Sequence, residues 1–109
     1  MTKSIRVDAA AKAELRAAVR WYEEQRAGLG GELISAIDEA MTRVVRLGPD
    51  CRPVYGVDPD LGVRRVRATR FPYAVVFIEL PKTIRVIAIM HERRRPGYWK
   101  DRLEQAVTA

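Results

Sequence analysis

Two apolar runs separated by a short turn dominate the second half of this chain: residues 73–80 read YAVVFIEL and residues 84–90 read IRVIAIM. Both runs are rich in valine, isoleucine and aromatic residues, which favour strands. Both are mainly apolar on each face, with Arg85 the exception in the second run, as strands at the centre of a sheet are. Because the turn through Pro81 and Lys82 is short enough for a hairpin, we predict two antiparallel central strands.

A third strand is predicted just before them. Residues 63–69 alternate arginine with small or branched residues, so one face of this strand should be exposed to water. The link of residues 70–72 again suits a hairpin, and the three strands then make an antiparallel meander. Residues 48–62 contain three prolines and three aspartates. We predict a loop there that is long enough to be functional or mobile.

The start of the chain predicts one strand followed by one helix. Residues 4–7 are short and alternating, which suits a strand that can join the edge of the sheet. Residues 9–24 carry strong helix formers, with their apolar side chains on one face. Asp8 is predicted to cap this helix, because its carboxylate could accept hydrogen bonds from the free amides of the first turn.

Two further helices complete the predicted fold. The glycine-rich residues 28–31 are expected to end the first helix and reverse the chain. An apolar stripe on residues 33–45 predicts a second, antiparallel helix, and residues 97–106 predict a short amphipathic one. The predicted class is therefore α+β: a helix hairpin packed on an antiparallel sheet, made of the three-stranded meander plus the N-terminal strand, with a short C-terminal helix.

Size and charge limit the possible functions. The chain has 109 residues and a formal net charge of +6, and we expect residues 1–109 to form a single domain. Residues 63–102 hold eleven basic groups against three acidic ones. A basic surface attracts nucleic acid or an acidic protein, with an affinity that falls as salt rises. No apolar run approaches the roughly 20 residues that span a bilayer, so we expect a cytoplasmic protein with no membrane partner.

The tail brings chemically active side chains to the end of the last predicted strand. Residues 91–102 read HERRRPGYWKDR, a composition that suits polyanion binding, a phosphate-handling site or an interface with an acidic protein. We expect this cluster and the arginines of residues 63–69 to converge on one positively charged surface. One histidine, one cysteine and no carboxylate cluster provide no usual metal-ligand set. Since there is no nucleotide-binding glycine motif either, we expect no cofactor.

The order of these segments and several short motifs resemble the RelE/ParE superfamily of bacterial toxins. The motifs that carry the resemblance, which covers nearly the whole chain, are Trp21-Tyr22-Glu23-Glu24, Val63-Arg64-Arg65-Val66, Phe71-Pro72-Tyr73, and the tail from His91 to Trp99 followed by Arg102. The resemblance implies the toxin of a type II toxin–antitoxin pair. Such a toxin forms a hetero-oligomer with a small, usually acidic antitoxin that wraps and neutralises it.

The superfamily divides over its target. RelE-like members are ribosome-dependent mRNA endonucleases, whereas ParE-like members inhibit DNA gyrase by binding. RelE-like nucleases carry a functional arginine early in the central strand, just after an aromatic residue, and alignment through Tyr73 places Ala74 at that position. The resemblance therefore favours gyrase as the target, and binding over enzymatic activity. A nuclease that acts on mRNA with the ribosome and a non-toxic basic interaction module stay open as alternatives.

Candidate site residues follow from these alternatives. For a nuclease the catalytic residues would be His91, Arg93 and Tyr98, with His91 as acid or base because histidine ordinarily titrates near neutrality. The side chains expected to bind the target or its phosphates are those of Arg65, Arg67, Arg70, Arg94 and Arg95.

Some of these aromatic and basic side chains also have structural interpretations. Tyr98 and Trp99 would then pin the terminal helix onto the sheet rather than stack on bases. Arg64 and Arg65 face opposite ways on an extended strand, and one of them is expected to pair with a helix carboxylate of Glu23 or Glu24.

Overall fold

The structure, a computed structural model, describes the backbone of residues 3–95 and 97–108 and their side chains as far as position 104. The described residues form five strands, β1 (Ser4–Val7), β2 (Arg52–Pro53), β3 (Val63–Arg67), β4 (Tyr73–Glu79) and β5 (Thr83–His91). They also form three α-helices, α1 (Ala9–Gln25), α2 (Leu29–Leu47) and α3 (Lys100–Thr108), and two 3₁₀ turns, Gly48–Asp50 and Pro59–Leu61. The predicted α+β class is confirmed, and the predicted strands and helices follow one another in the expected order, with β2 as an additional strand. No helix within these ranges has both the length and the apolarity needed to cross a membrane.

The strands lie in the order β1-β5-β4-β3-β2. β3, β4 and β5 form the predicted antiparallel meander. β1 joins the sheet beside β5, from Ser4 opposite Thr83 to Val7 opposite Val86, and runs parallel to it. The sheet is therefore mixed rather than wholly antiparallel. β1 can run parallel to β5 because a long connection, made of the helix hairpin and the rest of the meander, separates the two strands in the chain.

The prediction of one continuous loop over residues 48–62 is wrong. β2 pairs with Arg64 and Arg65 and adds a fifth strand at the edge of the sheet. The Arg64 guanidinium donates a 2.8 Å hydrogen bond to the Cys51 carbonyl, which holds this segment against β3. Pro53 is tolerated because an edge strand has one side that needs no N–H donor.

The main core lies between the helix hairpin and one face of the sheet, called here the helix face. α2 fully buries Leu33, Ile37 and Val44 in a cluster that includes Phe77 and Val86 of the sheet. Full burial of a side chain of this size contributes about 1.5–3 kcal/mol. Packing of the apolar stripe therefore stabilises the predicted antiparallel hairpin.

The opposite face of the sheet, the open face, carries a smaller core around Trp99. This indole is fully buried in a cluster with Val76 and Met90. The structural interpretation of Trp99 is thus confirmed. Because the chain first makes a turn to bury this ring, α3 begins at Lys100 rather than at the expected residue 97.

The turn between α1 and α2 is tighter than predicted. Gly28 has a left-handed φ of 89°, and α2 begins immediately after it, so Gly30 lies inside the helix. A Cβ on Gly30 would come within 2.9 Å of the Val19 carbonyl oxygen, so this glycine permits close packing of the two helices. The Glu23 carboxylate accepts hydrogen bonds of 2.9 and 3.0 Å from the amides of Gly28 and Gly30. Glu23 therefore caps α2, and its expected pairing with a β3 arginine is wrong.

Asp8 stands before the first turn of α1 as predicted, but it does not cap the helix with its side chain. Its carboxylate instead accepts hydrogen bonds from Nε and Nη2 of Arg85, at 2.8 and 2.6 Å. The expected cap is wrong because the Asp8 carboxylate is engaged in a bidentate, charge-assisted pair with the largely buried guanidinium of Arg85.

Candidate target-binding site

A shallow groove on the open face brings two of the predicted arginines together. In the strand register Arg67 lies opposite Ala74, and Ala74 lies opposite Met90. Arg65 lies two positions along β3 on the same face. The groove has a volume of about 320 Å³ and is lined by Val54, Tyr55, Arg65, Arg67, Ala74, Met90 and Glu92. The methyl side chain of Ala74 leaves the floor of this groove open.

Tyr55 is a functional candidate that the sequence analysis missed. It lies in the segment between β2 and β3, lines the groove and is 88% exposed. Tyrosine and arginine are among the residue types that most often dominate binding energy at protein interfaces. An aromatic residue within a loop rich in proline, glycine and aspartate was the available signal, but its position beside the arginines depends on β2.

The two groove arginines differ in their electrostatic partners. The Arg67 guanidinium forms an ion pair with Glu92, which follows β5. Arg65 has no carboxylate within ion-pair distance among the side chains described up to position 104. Arg65 is therefore the groove cation most available to an acidic partner.

Arg70 points away from the groove. It has a left-handed φ of 72° in the turn before β4, and its guanidinium donates a 2.9 Å hydrogen bond to Glu32 of α2. Glu32 also accepts from Arg26 at 2.7 Å. Hydrogen bonds from Arg70 and then Arg26 lower the pKa of the Glu32 carboxyl. Arg70 thus belongs to the helix side, and it does not replace the arginine that Ala74 lacks.

The Glu14 carboxylate of α1 gathers much of the tail into one polar cluster. Tyr98 donates its hydroxyl to Glu14 over 2.5 Å, and Arg102 donates over 2.9 Å. The Arg94 guanidinium lies 3.7 Å from the same carboxylate and 3.7 Å above the centre of the Tyr98 ring. These four side chains, Glu14, Arg94, Tyr98 and Arg102, form what we call the Glu14 cluster.

The cluster also completes the edge of the sheet. β1 ends at Val7, opposite Val86, so the outer edge of β5 beyond that point has no strand beside it. The Ile89 amide donates to Glu14 over 3.1 Å, and Arg102 donates to the Ile87 carbonyl over 2.8 Å. Side chains therefore satisfy backbone groups that would otherwise be orphaned.

Burial, together with the hydrogen bond to Glu14, raises the pKa of the Tyr98 phenol. The hydrogen bond to Glu14 likewise raises the pKa of Arg102. Tyr98 keeps its proton throughout the neutral range and holds it toward a carboxylate. Its environment is that of a structural residue rather than a proton donor for a reaction.

His91 lies on the helix face, opposite to the groove. It pairs with Tyr73 in the sheet, and the two rings meet edge to face with centroids 5.0 Å apart. Its Nδ1 accepts a 3.0 Å hydrogen bond from the Arg93 amide. Neighbouring strand residues alternate between faces, so the Arg67–Ala74–Met90 row points to one side and the Tyr73–His91 pair to the other.

The expectation of one convergent basic surface is wrong. Arg65 and Arg67 lie on the open face, His91 lies on the helix face, and Arg94 turns back to Glu14. Arg93 and Arg95 are exposed beyond the end of β5. Pro96, which separates them from Tyr98, lies outside the described residues.

Cys51 and metal-binding groups offer no further chemistry. Burial raises the pKa of the Cys51 thiol, so the reactive thiolate is disfavoured at neutral pH. Within residues 3–95 and 97–104, no group of three or more His, Cys, Asp or Glu side chains is arranged to hold a metal ion.

Comparison with known families agrees with this fold. The family described as "ParE toxin of type II toxin-antitoxin system, parDE" matches residues 5–96. This chain belongs to the ParE toxin family. The match confirms the resemblance to RelE/ParE toxins on its ParE side, and this ParE-family chain is a toxin of the type II toxin–antitoxin class.

A solved structure shares the ParE fold of this chain. It is described as "Chromosomal ParDE TA system from P. aeruginosa", and the alignment has a TM-score of 0.70 at 20% sequence identity. The alignment covers 83% of this chain and 96% of the other. At this identity the likeness establishes the fold. No curated protein matches this chain in sequence.

Proposed function

We propose that this ParE-family chain acts as a single toxin domain that inhibits DNA gyrase by binding, and that a cognate antitoxin neutralises it. Family membership supports the first part, since ParE-like members of the superfamily act on gyrase. The choice of gyrase over mRNA as the target is supported by one observation: His91 lies apart from the arginines of the groove. Both partners would meet the chain in the cytoplasm.

Nuclease chemistry needs several groups around one phosphate. Attack by a 2′-hydroxyl requires a base, cations that stabilise the pentacoordinate phosphate and an acid for the leaving oxygen. His91 lies across the sheet from Arg65 and Arg67, and Tyr98 is held by Glu14. One phosphate cannot touch the groove arginines and His91 together, which supports binding rather than cleavage.

The groove on the open face is the proposed contact with gyrase. Tyr55 supplies an exposed aromatic ring, and Arg65 supplies a cation without a carboxylate partner among the described side chains. An acidic side chain of the target beside an apolar one would pair with Arg65 and cover Tyr55. Such residues form the small energetic centres of protein interfaces.

A second surface supports binding of an antitoxin. α1 and α2 leave a groove of about 560 Å³ between them, lined by Leu15, Val19 and Ile34 and rimmed by charged side chains at Arg16, Arg20, Glu23 and Glu24. Trp21, on the same helix as most of these residues, is 56% exposed. An amphipathic helix of a partner could bury its apolar side chains here.

The target is tested by a supercoiling assay with purified gyrase, relaxed plasmid and the full chain. We expect inhibition at micromolar toxin, and loss of that inhibition when Tyr55→Ala and Arg65→Gln are combined. Arg46→Gln, which removes one exposed arginine at the end of α2, is the matched control and should inhibit like the native chain. Full gyrase activity at micromolar native toxin would refute the proposal.

A parallel reaction with ribosomes and mRNA separates the alternatives. Cleavage of mRNA that is lost in His91→Ala would establish the nuclease instead. If induced expression without antitoxin allows normal growth and neither assay responds, the chain is a non-toxic interaction module.

A further inference from the structure

A second cationic site lies at the opposite end of β5 from the groove. It is a cavity of about 660 Å³ between the start of α1, β1 and the turn that joins β4 to β5. Its charged lining consists of Arg6, Asp8, Lys82 and Arg85. We call it the Arg85 cavity. It lies apart from the groove that is proposed to contact gyrase.

The register of the sheet concentrates positive charge in this cavity. Arg6 of β1 lies directly opposite Arg85 of β5. Like charges in directly opposed positions repel each other, and Lys82 adds a third cation. Asp8 is the one carboxylate in the lining, so the charges of two cations stay uncompensated there.

Arg85 is the central group. It is only 9% exposed. Its Nε and Nη2 donate hydrogen bonds to the Asp8 carboxylate, and Nη2 also donates a 2.7 Å hydrogen bond to the Arg102 carbonyl. Its Nη1 is buried and has no hydrogen-bond partner in the described part of the chain. Buried donors are normally satisfied, so Arg85, a residue of the cavity lining, keeps one donor that no group of the described chain uses.

The first turn of α1 provides a second, independent set of donors. Ala9 and Ala10 line the cavity, and the 17-residue helix begins there without a side-chain cap, because Asp8 is bound to Arg85. The N-terminus of a helix carries a partial positive charge and free amides that bind phosphate well. The diversion of Asp8 therefore leaves this end of α1 open to an anion.

The remaining lining residues indicate what the uncharged part of a ligand would be like. Val7, Leu80 and Pro81 make part of the wall apolar, and the cavity is several times larger than one phosphate ion. The charge balance matches a dianion better than a monoanion. We propose that the Arg85 cavity binds a small organic phosphate monoester, with the phosphate at Arg85, Arg6 and the first turn of α1 and the apolar body against Leu80 and Pro81.

The test is an NMR titration of the ¹⁵N-labelled full chain with phenyl phosphate as the probe. We expect saturable shifts at the amides of Ala9 and Ala10 and at the Arg85 side chain. Inorganic phosphate should shift the same signals with at least tenfold weaker affinity, because it lacks the apolar body. Phenylacetate, a monoanion of similar shape, should also bind at least tenfold more weakly.

Variants then locate the site. Arg85→Gln removes a buried ion pair and can unfold the chain, so the decisive variant combines the exposed changes Arg6→Gln and Lys82→Gln. We expect at least a tenfold loss of phenyl phosphate affinity in this variant and no change in Arg46→Gln. The proposal is overturned by non-saturable shifts, by equal affinity in the double variant, or by tighter binding of phenylacetate than of phenyl phosphate. Because none of these readouts involves gyrase, the two proposals succeed or fail separately.

Discussion

The arginines of β3 and those of the tail look alike in the sequence but occupy very different environments. Arg94 and Arg102 converge on the mostly buried carboxylate of Glu14, whereas Arg65 has no such partner among the described side chains. Arginine therefore stabilises the position of the tail in one region, whereas in β3 it leaves a positive charge available for a partner. The difference lies in which carboxylates the fold brings near, and not in the arginines themselves.

Removing Glu14 should have the largest effect on this contrast. Glu14→Ala leaves Arg102 and the Tyr98 hydroxyl without their acceptor in a mostly buried site, so we expect a loss of about 3 kcal/mol in unfolding free energy. Urea denaturation measures it. Glu39→Ala, which breaks an exposed pair with Arg43 on α2, is the matched control and should cost about 0.5 kcal/mol or less. Similar losses in both variants would contradict the central position of Glu14.

Tyr98→Phe should have a smaller, pH-dependent effect. Loss of the hydrogen bond to Glu14 should cost about 1.5 kcal/mol at neutral pH. Because the pKa of Tyr98 is raised in the folded state, its contribution is fully present below about pH 10, the pKa of an unfolded tyrosine, and is lost as pH rises above that value. Unfolding measured from pH 8 to 11 should show a steeper fall in stability for the native chain than for the variant. Parallel curves would show that the phenol is not held by Glu14.

Arg65→Gln should change stability least and binding most. Arg65 has no ion-pair partner among the described side chains, so we expect its removal to alter the unfolding free energy by about 0.5 kcal/mol or less. Under the proposed function it should weaken gyrase inhibition about tenfold, whereas His91→Ala should leave inhibition nearly unchanged. A stability loss in Arg65→Gln as large as that of Glu14→Ala would place both arginine groups in the same structural role.

Much of the fold could be predicted because its signals are local. The apolar runs at β4 and β5, the short turns and the stripe on α2 depend on residues that are near one another in sequence. The fifth strand could not be predicted, because β2 depends on its pairing with β3 and on the Arg64 hydrogen bond to the Cys51 carbonyl, which join residues more than ten positions apart. The prediction that Asp8 caps α1 failed for a similar reason: local patterns do not show that Arg85, far away in sequence, is its neighbour.

The candidate site was predictable in its residues but not in its arrangement. The sequence singled out Arg65 and Arg67, but Tyr55 joined them only when β2 and its loop were in place. One-residue alternation along β4 and β5 then separated Ala74 and Met90 from Tyr73 and His91. That separation follows from strand geometry, yet it becomes a statement about function only after the pairing register is known.

By itself, the sequence determined the class of fold, the basic character of the second half and the membership of a toxin superfamily, because composition, periodicity and motif order are properties of the chain alone. Only the tertiary structure decided which arginines are paired, which face His91 occupies and where Arg85 is left with an unused donor. Those outcomes depend on distances between residues that are far apart in sequence. Electrostatic partnership acts over a few ångströms in space, so the chain's linear order does not reveal it.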